Sequence, residues 1–458
     1  MSDRVIRRSA GILLMIFAFT LFTALPAKAA FPTYDSDEGV VVMETQSGDV
    51  LDSQNADQKY YPASTTKLMT ALVMMDYVAD SLDKTVTVGD EVSQFGYESS
   101  TAGLEVGQKI SYKDLLYAML LPSGNDAAET IAANIGRLIL KDDSADWEKA
   151  VSAFVTEMNQ KAKDLGMTGT HFVNPHGLYD DDHYTTPLDF AKLGAAAFAN
   201  DAIKTAASTK TYTIKYLDGT DNELKSTNLF LFKDAADYGE NIEEGTEANP
   251  YYDTNITAAK TGATDEGGRT YVYYSEEDGK NIIGVIFKTS GSTIFEQSSA
   301  EAKEVKDNYT LKSWTDGDSV YGEIAVDNIH FSDGDTITLD GGKEIFSAVE
   351  KDQADNLTAE IKWDSEYVTD DNGTPRLVSD VKSGDQVAVL EILNGSKVVK
   401  DVPLYAANDV STKNWTDFFV DNALWIILGI ALIIWFVLYR KNKKKAAALR
   451  RKKQRTRL

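Results

Sequence analysis

The sequence contains no cysteine among its 458 residues. Disulfide bonds and thiolate metal sites are therefore excluded, and stability must come from a packed core. Basic residues are also scarce away from the ends of the chain. Without residues 1–30, which hold four basic and one acidic residue, and residues 440–458, which hold eleven basic residues, the chain has 31 basic and 70 acidic residues and a net charge of about −39. Such a surface repels nucleic acid, so we expect no nucleic-acid partner.

Residues 1–29 have the pattern of a secretory signal peptide. Three arginines precede an apolar stretch at residues 11–25, and Ala27-Lys28-Ala29 is a small-x-small cleavage site. An uncleaved membrane anchor is the alternative, but the apolar stretch is short for a bilayer span. The pattern therefore predicts export.

Residues 423–439 are almost wholly apolar and have about the minimum length of a transmembrane helix. Eleven Lys or Arg follow, without an acidic residue, and the positive-inside rule places such a tail in the cytoplasm. A buried core helix followed by a nucleic-acid-binding tail is the alternative, which a signal peptide does not favour. We therefore predict a single-pass cell-membrane protein with its main part on the cell-wall side and residues 440–458 in the cytoplasm.

The first part of the exterior region, residues 34–305, mixes strands with helices. Its apolar patterns predict a hairpin near residues 38–53, a strand ending at Lys260 and a strand pair at residues 270–288. They also predict helices at residues 64–77, 111–121, 126–135, 146–165, 186–199 and 293–309. Gly136 and Gly166 should end the third and the fourth of these helices. Strands at both ends with helices between them predict an antiparallel sheet covered by helices.

The second part, residues 310–408, shows short alternating stretches separated by Asp-Gly and Asn-Gly turns. This pattern predicts an all-β domain, a small sandwich, with strands at residues 319–326, 336–339, 358–363, 386–392 and 397–404. Residues 409–422 are predicted to be a linker to the membrane helix at 423–439. No internal repeat is present.

The first chemical motif is Ser64-Thr65-Thr66-Lys67. Ser64 and Lys67 lie one helical turn apart and share a face. Residues 68–75 are apolar on nearly every side, so this helix should be buried. Burial lowers the pKa of a Lys, and a neutral amine can take the proton of the hydroxyl beside it. For this motif alone, a capped helix with its Lys reaching solvent is the alternative.

Two further motifs follow, Ser123-Gly124-Asn125 and Lys260-Thr261-Gly262. The first lies in a predicted turn between helices and offers a hydroxyl and a carboxamide. The second ends a predicted edge strand, where a cation and a hydroxyl can hold a carboxylate and Gly262 leaves room for a peptide. Each triplet alone is common. The three motifs in this order are typical of serine β-lactamases and penicillin-binding proteins.

The chain resembles the low-molecular-weight penicillin-binding proteins, the serine-type D-alanyl-D-alanine carboxypeptidases. The match extends beyond the motifs to residues 61–70, 115–128, 158–167 and 170–178, and covers about residues 34–408. The resemblance implies an α/β (α+β) domain of the serine β-lactamase and transpeptidase type, followed by the family's all-β domain. The expected architecture is therefore these two domains followed by the predicted transmembrane helix.

The resemblance also implies a two-step hydrolysis without a cofactor. Ser64 would attack the carbonyl between the last two D-alanines of a peptidoglycan stem peptide, with Lys67 as the general base. Ser123 and Lys260 would help to protonate the leaving D-alanine, and water would then release the shortened peptide. β-Lactam antibiotics would acylate Ser64 and inhibit the enzyme.

The implied substrate-binding residues lie on the three motifs: Asn125, Lys260, Thr261, Gly262 and Ala263. The backbone N–H groups of Ser64 and Ala263 would form the oxyanion hole. Two further residues are assigned to the substrate site. His176 would line the edge of the pocket. Lys288 would take the place of an Arg that relatives often carry on a neighbouring strand to hold the substrate carboxylate; relatives also often have Gly where this chain has Ala258.

A metal site at His171, His176 and His183, beside residues 180–182, is conceivable from the clustering alone. Serine chemistry needs no metal, so we predict none.

Three other functions remain open. A serine β-lactamase shares the motifs, but the Glu-x-x-Leu-Asn segment that usually positions its water is missing between residues 126 and 259. A D,D-endopeptidase would use the same residues. A non-catalytic wall-binding scaffold would have no need of a buried nucleophile and base.

Overall fold

The computed structural model describes residues 30–96, 99–216, 220–234, 237, 248–315, 319–371 and 373–455. The predicted signal peptide lies outside these residues. The chain divides into one unit of Met1–Leu311 with Ala348–Lys351, and a second of Lys312–Ser347 with Asp352–Leu458. The boundaries of 34–305 and 310–408 as domains stay predictions.

The first unit contains nine strands among the described residues: β1 (Gly39–Glu44), β2 (Val50–Gln54), β3 (Thr85–Thr87), β4 (Lys109–Ser111), β5 (Thr211–Lys215), β6 (Asp221–Lys225), β7 (Ile256–Thr264), β8 (Gly268–Glu277) and β9 (Lys280–Thr289). Five of them form an antiparallel sheet in the order β2-β1-β9-β8-β7. Strand β1 is buried on both faces, because Val41 and Met43 pack into one apolar core and Val40 and Val42 into another, which explains its continuous apolar run. The edge strand β7 carries the third motif.

The described residues of the same unit form seven helices: α1 (Lys67–Val78), α2 (Tyr112–Leu120), α3 (Asn125–Leu140), α4 (Trp147–Asp164), α5 (Pro187–Ala199), α6 (Asp201–Ala207) and α7 (Thr293–Asn308). Helix α1 is central, since ten of its twelve residues are buried. Helix α5 begins as its sequence predicts, because the Thr186 hydroxyl accepts from the Asp189 N–H and Pro187 occupies the first turn. The predicted antiparallel sheet with covering helices is confirmed.

Two predicted element ends are wrong. Helix α3 continues past Gly136 to Leu140, because this Gly permits close packing rather than ending the helix. A Cβ at Gly136 would lie 1.9 Å from the carbonyl oxygen of Ala150 on α4. Strand β7 likewise continues past Lys260 to Thr264, so the third motif lies inside the strand.

From residue 309 the described residues form nine more strands: β10 (Tyr309–Ser313), β11 (Val320–Ala325), β12 (Thr336–Asp340), β13 (Phe346–Glu350), β14 (Leu357–Trp363), β15 (Val368–Asp371), β16 (Thr374–Leu377), β17 (Gln386–Asn394) and β18 (Lys397–Ala406). Five pair in the order β11-β12-β18-β17-β14, and β15 pairs with β16. Their inward side chains, among them Ile337, Leu390 and Leu404, form a separate apolar core. The all-β prediction is confirmed.

The segment predicted to be a linker packs against this second unit. Val410 is buried and exchanges two backbone hydrogen bonds with Val381, at 2.9 and 3.0 Å. Helix α8 (Trp415–Asp421) follows, and helix α9 (Ala423–Arg455) comes two residues later. Among the described residues, α9 provides the one helix long and apolar enough to cross a membrane, with a candidate span of Ala423–Arg450 and a mean hydropathy of 2.2.

Candidate active site

Ser64 lies in a 3-10 turn, Ala63–Thr66, that leads directly into α1. The turn is held from several sides. Pro62 offers its carbonyl oxygen to the hydroxyls of Thr65, at 2.5 Å, and of Thr270 on β8, at 2.9 Å. Ala63 has a positive φ of 49°, which places the turn in the left-handed region at this residue. The nucleophile predicted from the sequence is therefore carried on a tightly fixed backbone.

The side-chain nitrogen of Lys67 makes three hydrogen-bonding contacts. Its Nζ lies 2.8 Å from Ser64 Oγ, 2.6 Å from Asn125 Oδ1 and 2.8 Å from the carbonyl oxygen of His176. The last two are acceptors only, so they use the two hydrogens that a neutral amine retains. The remaining lone pair then faces the Ser64 hydroxyl, which can donate its proton to it.

The pKa of Lys67 lies well below its ordinary value. Complete burial is the main cause, and the nearby charge of Lys260 adds to it against the opposing charge of Asp126. The predicted neutral base one turn after Ser64 thus has both the required position and the required environment.

Ser123 and Lys260 form a second buried pair beside the first. The Lys260 ammonium group donates to Ser123 Oγ at 2.9 Å and to the carbonyl oxygen of Thr261 at 2.7 Å. Burial lowers the pKa of Lys260 to about 7. Ser123 has a positive φ of 65°, which is unusual for a residue with a side chain and is typical of functional turns. A proton can therefore move between this amine and the hydroxyl near neutral pH.

The turn after α2 positions Asn125. Its Oδ1 accepts from Lys67, and its Nδ2 donates to Ser99 Oγ at 2.8 Å. The next residue, Asp126, holds the facing loop by accepting from the N–H groups of Ala102 and Leu104 at 2.9 Å each. The carboxamide thus positions the proposed base as well as reaching toward the cleft. Ser99 belongs to none of the three motifs, so the sequence analysis did not identify it.

Strand β7 passes immediately beside the nucleophile turn. A Cβ at Gly262 would lie 2.8 Å from the Ser64 nitrogen and 2.3 Å from Thr270 Oγ1, so no side chain fits there. Thr261 Oγ1 lies 2.6 Å from Thr227 Oγ1. The third motif therefore aligns an edge-strand backbone with Ser64, where an extended peptide can add to the sheet.

A cleft of about 410 Å³ opens over these residues. Its lining comes from all three motifs and from the loops around them: Ser64, Ser100, Ser123, Thr227, Leu229, Tyr251, Thr261, Gly262, Ala263, Arg269, Gly291, Ser292 and Phe295. This described lining includes one cation, Arg269, and no carboxylate. In a protein with a strongly acidic surface, such a cleft favours a negatively charged ligand.

Arg269 was missed in the sequence analysis. It is the second residue of β8 and pairs with Ala263 of β7, so its side chain projects on the same sheet face as that of Thr261. Its side chain has no hydrogen bond or ion pair with any residue that the structure describes. Lys288, to which the sequence analysis gave this role, instead lies 3.1 Å from Asp37 and outside the cleft lining.

His176 lies behind the base rather than in the cleft lining. The N–H of Leu178 donates to its Nδ1 at 3.2 Å, so the ring hydrogen is on Nε2, which faces Glu129 Oε2 at 3.6 Å. Burial raises the pKa of Glu129 to about 7, although a hydrogen bond from Gln94 opposes this. A buried acid thus lies behind the residue whose carbonyl oxygen holds Lys67.

The three clustered histidines have separate partners. His183 is buried, lies 2.9 Å from Thr66 Oγ1 through Nε2, and accepts from the N–H of Val173 at 3.1 Å through Nδ1. His171 Nδ1 lies 2.7 Å from the carbonyl oxygen of Asp182. Among the described residues no group of three potential metal ligands is present. His183 instead braces the turn that carries Ser64.

Comparison with known proteins identifies two segments. A family model described as "D-alanyl-D-alanine carboxypeptidase" matches residues 27–291. A second model, "Penicillin-binding protein 5, C-terminal domain", matches residues 309–412. The two matches cover most of the described chain before α8.

Individual relatives agree with these models. The D-alanyl-D-alanine carboxypeptidase of Streptomyces sp. (strain K15) is 29% identical over 58% of this chain and 86% of its own length. The D-alanyl-D-alanine carboxypeptidase DacC of Escherichia coli (strain K12) is 26% identical over 87% of this chain and 89% of its own.

Two solved structures are similar. The Streptomyces K15 DD-transpeptidase is 28% identical, with a TM-score of 0.52 over 60% of this chain and 98% of its own. Penicillin binding protein 5 from Haemophilus influenzae, 21% identical, has a TM-score of 0.62 over 83% of this chain and 99% of its own. The latter similarity shows that the fold is shared through the second unit.

Proposed function

The chain belongs to the D-alanyl-D-alanine carboxypeptidase family, and from this premise we propose that it releases the terminal D-alanine of peptidoglycan stem peptides through an acyl-enzyme on Ser64. The observation that carries the proposal is the hydrogen bonding of Lys67. Two acceptor-only partners hold its amine so that the lone pair faces Ser64 Oγ at 2.8 Å. A buried base in this geometry is the requirement for a serine nucleophile that has no His–Asp pair.

In the first step Ser64 Oγ attacks the carbonyl carbon between the last two D-alanines, and its proton moves to Lys67 Nζ. The carbonyl oxygen becomes an oxyanion, which the backbone N–H groups of Ser64 and Ala263 would bind. The closeness of Gly262 to the Ser64 nitrogen supports this assignment, since it brings β7 alongside the nucleophile. The C–N bond then breaks and the acyl-enzyme remains.

The leaving D-alanine needs a proton on its nitrogen and a partner for its carboxylate. Ser123 Oγ would give the proton and regain one from Lys260 Nζ, 2.9 Å away. Thr261 and Arg269 would bind the carboxylate, because both side chains lie on one face of the sheet and both line the cleft. Lys67 then loses its extra proton to solvent and Lys260 regains one from solvent. Water attacks the ester carbonyl carbon while Lys67 Nζ takes one of the water's protons. The C–Oγ bond breaks, Ser64 Oγ regains that proton from Lys67, and the shortened peptide leaves.

The predicted location completes the proposal. Helix α9 would anchor the protein in the cell membrane, with the first unit on the cell-wall side where its substrate is found. The eleven basic residues after position 439 support a cytoplasmic C-terminus.

Labelled penicillin provides the central test. The full-length protein should form a stable adduct that maps to Ser64, and Ser64→Ala should form none. Rapid turnover of the label would favour a β-lactamase, and absence of an adduct would favour a non-catalytic scaffold.

Lys67→Ala separates the base from the rest of the site. We expect acylation to slow by about 10²–10⁴-fold, the usual contribution of a general base. An unchanged melting temperature is the control for folding. Acylation at the normal rate would rule out Lys67 as the base.

The reaction catalysed can then be resolved with a stem pentapeptide. Release of free D-alanine supports the carboxypeptidase, whereas cleavage confined to cross-linked dimers would favour the endopeptidase. Because one similar protein of solved structure is the Streptomyces K15 DD-transpeptidase, an amine acceptor should be included to measure transfer against hydrolysis.

A further inference from the structure

Helix α8 exposes a row of aromatic side chains just before the membrane helix. Trp415, Phe418 and Phe419 are 75%, 62% and 52% exposed, although their rings contact one another with centroids 5.8–5.9 Å apart. At 100° per residue these three positions lie within about 100° of one another around the helix. We call them the aromatic face of α8.

The opposite side of α8 is fixed to the all-β unit. Asp417, about 150° from the centre of the aromatic face, is buried. Its carboxylate accepts from the N–H of Phe331 at 2.8 Å and from the N–H of Asn414 at 2.7 Å, and it lies 3.2 Å from His330 Nδ1. The helix thus has one polar side bonded to the protein and one apolar side facing outward.

We infer that the aromatic face of α8 lies in the interfacial layer of the lipid bilayer and holds the all-β unit at the membrane surface. The inference rests on the proposed membrane anchoring by α9, whose first residue, Ala423, is two positions after the end of α8. A segment this short keeps α8 close to the level at which the chain enters the membrane. Trp and Phe on one helix face are the side chains that favour this layer.

The contact would be apolar rather than electrostatic. Helix α8 contains Asp417 and Asp421 and no basic residue, and the exterior region is strongly acidic. Anionic lipid would therefore not attract α8, and the contact of α8 with the bilayer should be insensitive to salt. Because Asp417 joins α8 to residues 330–331, the bilayer contact would be transmitted to the all-β unit instead of ending in a loose tether.

Single cysteines can test this, since the natural sequence has none. Full-length Phe419→Cys, Ile430→Cys and Ser396→Cys would each carry a nitroxide in vesicles of zwitterionic lipid. Accessibility to oxygen relative to a water-soluble nickel complex should be highest at residue 430 in α9, intermediate at 419, and water-like at 396, in the turn between β17 and β18.

The outcomes distinguish the two levels of the proposal. A water-like signal at 419 with a lipid signal at 430 would contradict the contact of α8 with the bilayer but would leave the anchoring by α9 intact. A water-like signal at both positions would contradict the anchoring by α9, and with it the contact of α8 with the bilayer.

A second variant tests whether the rings of the aromatic face hold α8 in the bilayer. Trp415→Ser with Phe418→Ser should move the label at 419 toward water, while penicillin acylation is unchanged because Ser64 lies in the other unit. The matched control is Val398→Ser with Val399→Ser, which removes exposed apolar side chains elsewhere on the same unit. An unchanged label after loss of the rings would contradict the inference.

Discussion

At the scale of single residues, the site depends on two lysines that burial affects differently. Lys67 has its hydrogens occupied by Asn125 and His176, so a neutral amine is oriented toward Ser64. Lys260 has a pKa of about 7 and contacts Ser123. One amine is thus suited to accept a proton and the other to exchange one near neutral pH.

The pKa of Lys260 predicts an alkaline limb in the pH profile. Above about pH 7 this amine loses its charge and can no longer return a proton to Ser123 or attract a carboxylate. We expect kcat/KM for D-alanine release to fall about tenfold per pH unit beyond that point. The limb should be insensitive to salt because the group is buried. A flat profile from pH 6 to pH 9 would contradict this role.

Arg269 and Lys288 give a direct comparison of two candidate carboxylate ligands. Arg269→Ala should lower kcat/KM about 10–100-fold, since a hydrogen bond to a charged group contributes about 1.5–3 kcal/mol. The effect should appear mainly in KM. Lys288→Ala is the control and should leave the kinetics unchanged, because Lys288 pairs with Asp37 outside the cleft lining. The reverse pattern would restore the assignment made from the sequence.

The sequence could not identify Arg269 because its role depends on strand register. Gly267 and Gly268 precede it, and Gly268 has a positive φ of 63°, so the segment has the composition of a turn. Only the pairing of Arg269 with Ala263 shows that the side chain projects beside Thr261. The three motifs, in contrast, were visible because each carries its reactive groups within three or four consecutive residues.

At the scale of elements, periodicity located most of the helices and strands. It did not show which glycines end a helix and which lie inside one. Gly166 does end a helix, with a positive φ of 68° after α4. Gly136 has the same appearance in the sequence, yet α3 continues through it because the backbone of α4 passes there. The distinction depends on packing between two helices, which local sequence does not encode.

Gly136→Ala should therefore destabilise the protein, although Ala usually stabilises a helix relative to Gly by about 1 kcal/mol. The new Cβ would lie 1.9 Å from a carbonyl oxygen of Ala150, so α3 and α4 would have to separate. We expect a loss of about 1–3 kcal/mol in a thermal or denaturant unfolding experiment.

Gly194→Ala in α5 is the matched control. The nearest atoms to its Cβ outside α5 would be side-chain methyl groups of Ile283 and Val272, at 2.9 and 3.0 Å. Side chains can shift more easily than a helix backbone, so the loss should be smaller. A stabilised Gly136→Ala variant would show that the two helices do not approach as closely as the structure has them.

At the scale of the whole molecule, charge and apolar surface are separated along the chain. The acidic part of the chain before α8 contains a cleft lined by Arg269 and no carboxylate among its described residues. The apolar surface is concentrated in α8 and α9, and the cations follow in the tail. The sequence predicted this order, but it gave no sign that residues 409–422 pack on the all-β unit, because Val410 finds its partner Val381 through tertiary structure.

This separation predicts a defined topology in the cell. Variants with a single thiol at Ser396→Cys or Ala447→Cys should differ in their reaction with a membrane-impermeant maleimide. The thiol at 396, in the turn between β17 and β18, should react in intact cells, whereas the thiol at 447 should react only after permeabilisation. The positive-inside rule is the reason, since eleven basic residues follow the apolar part of α9. Unmodified protein, which has no cysteine, gives the background. Labelling of residue 447 in intact cells would mean that α9 does not cross the membrane in the proposed direction.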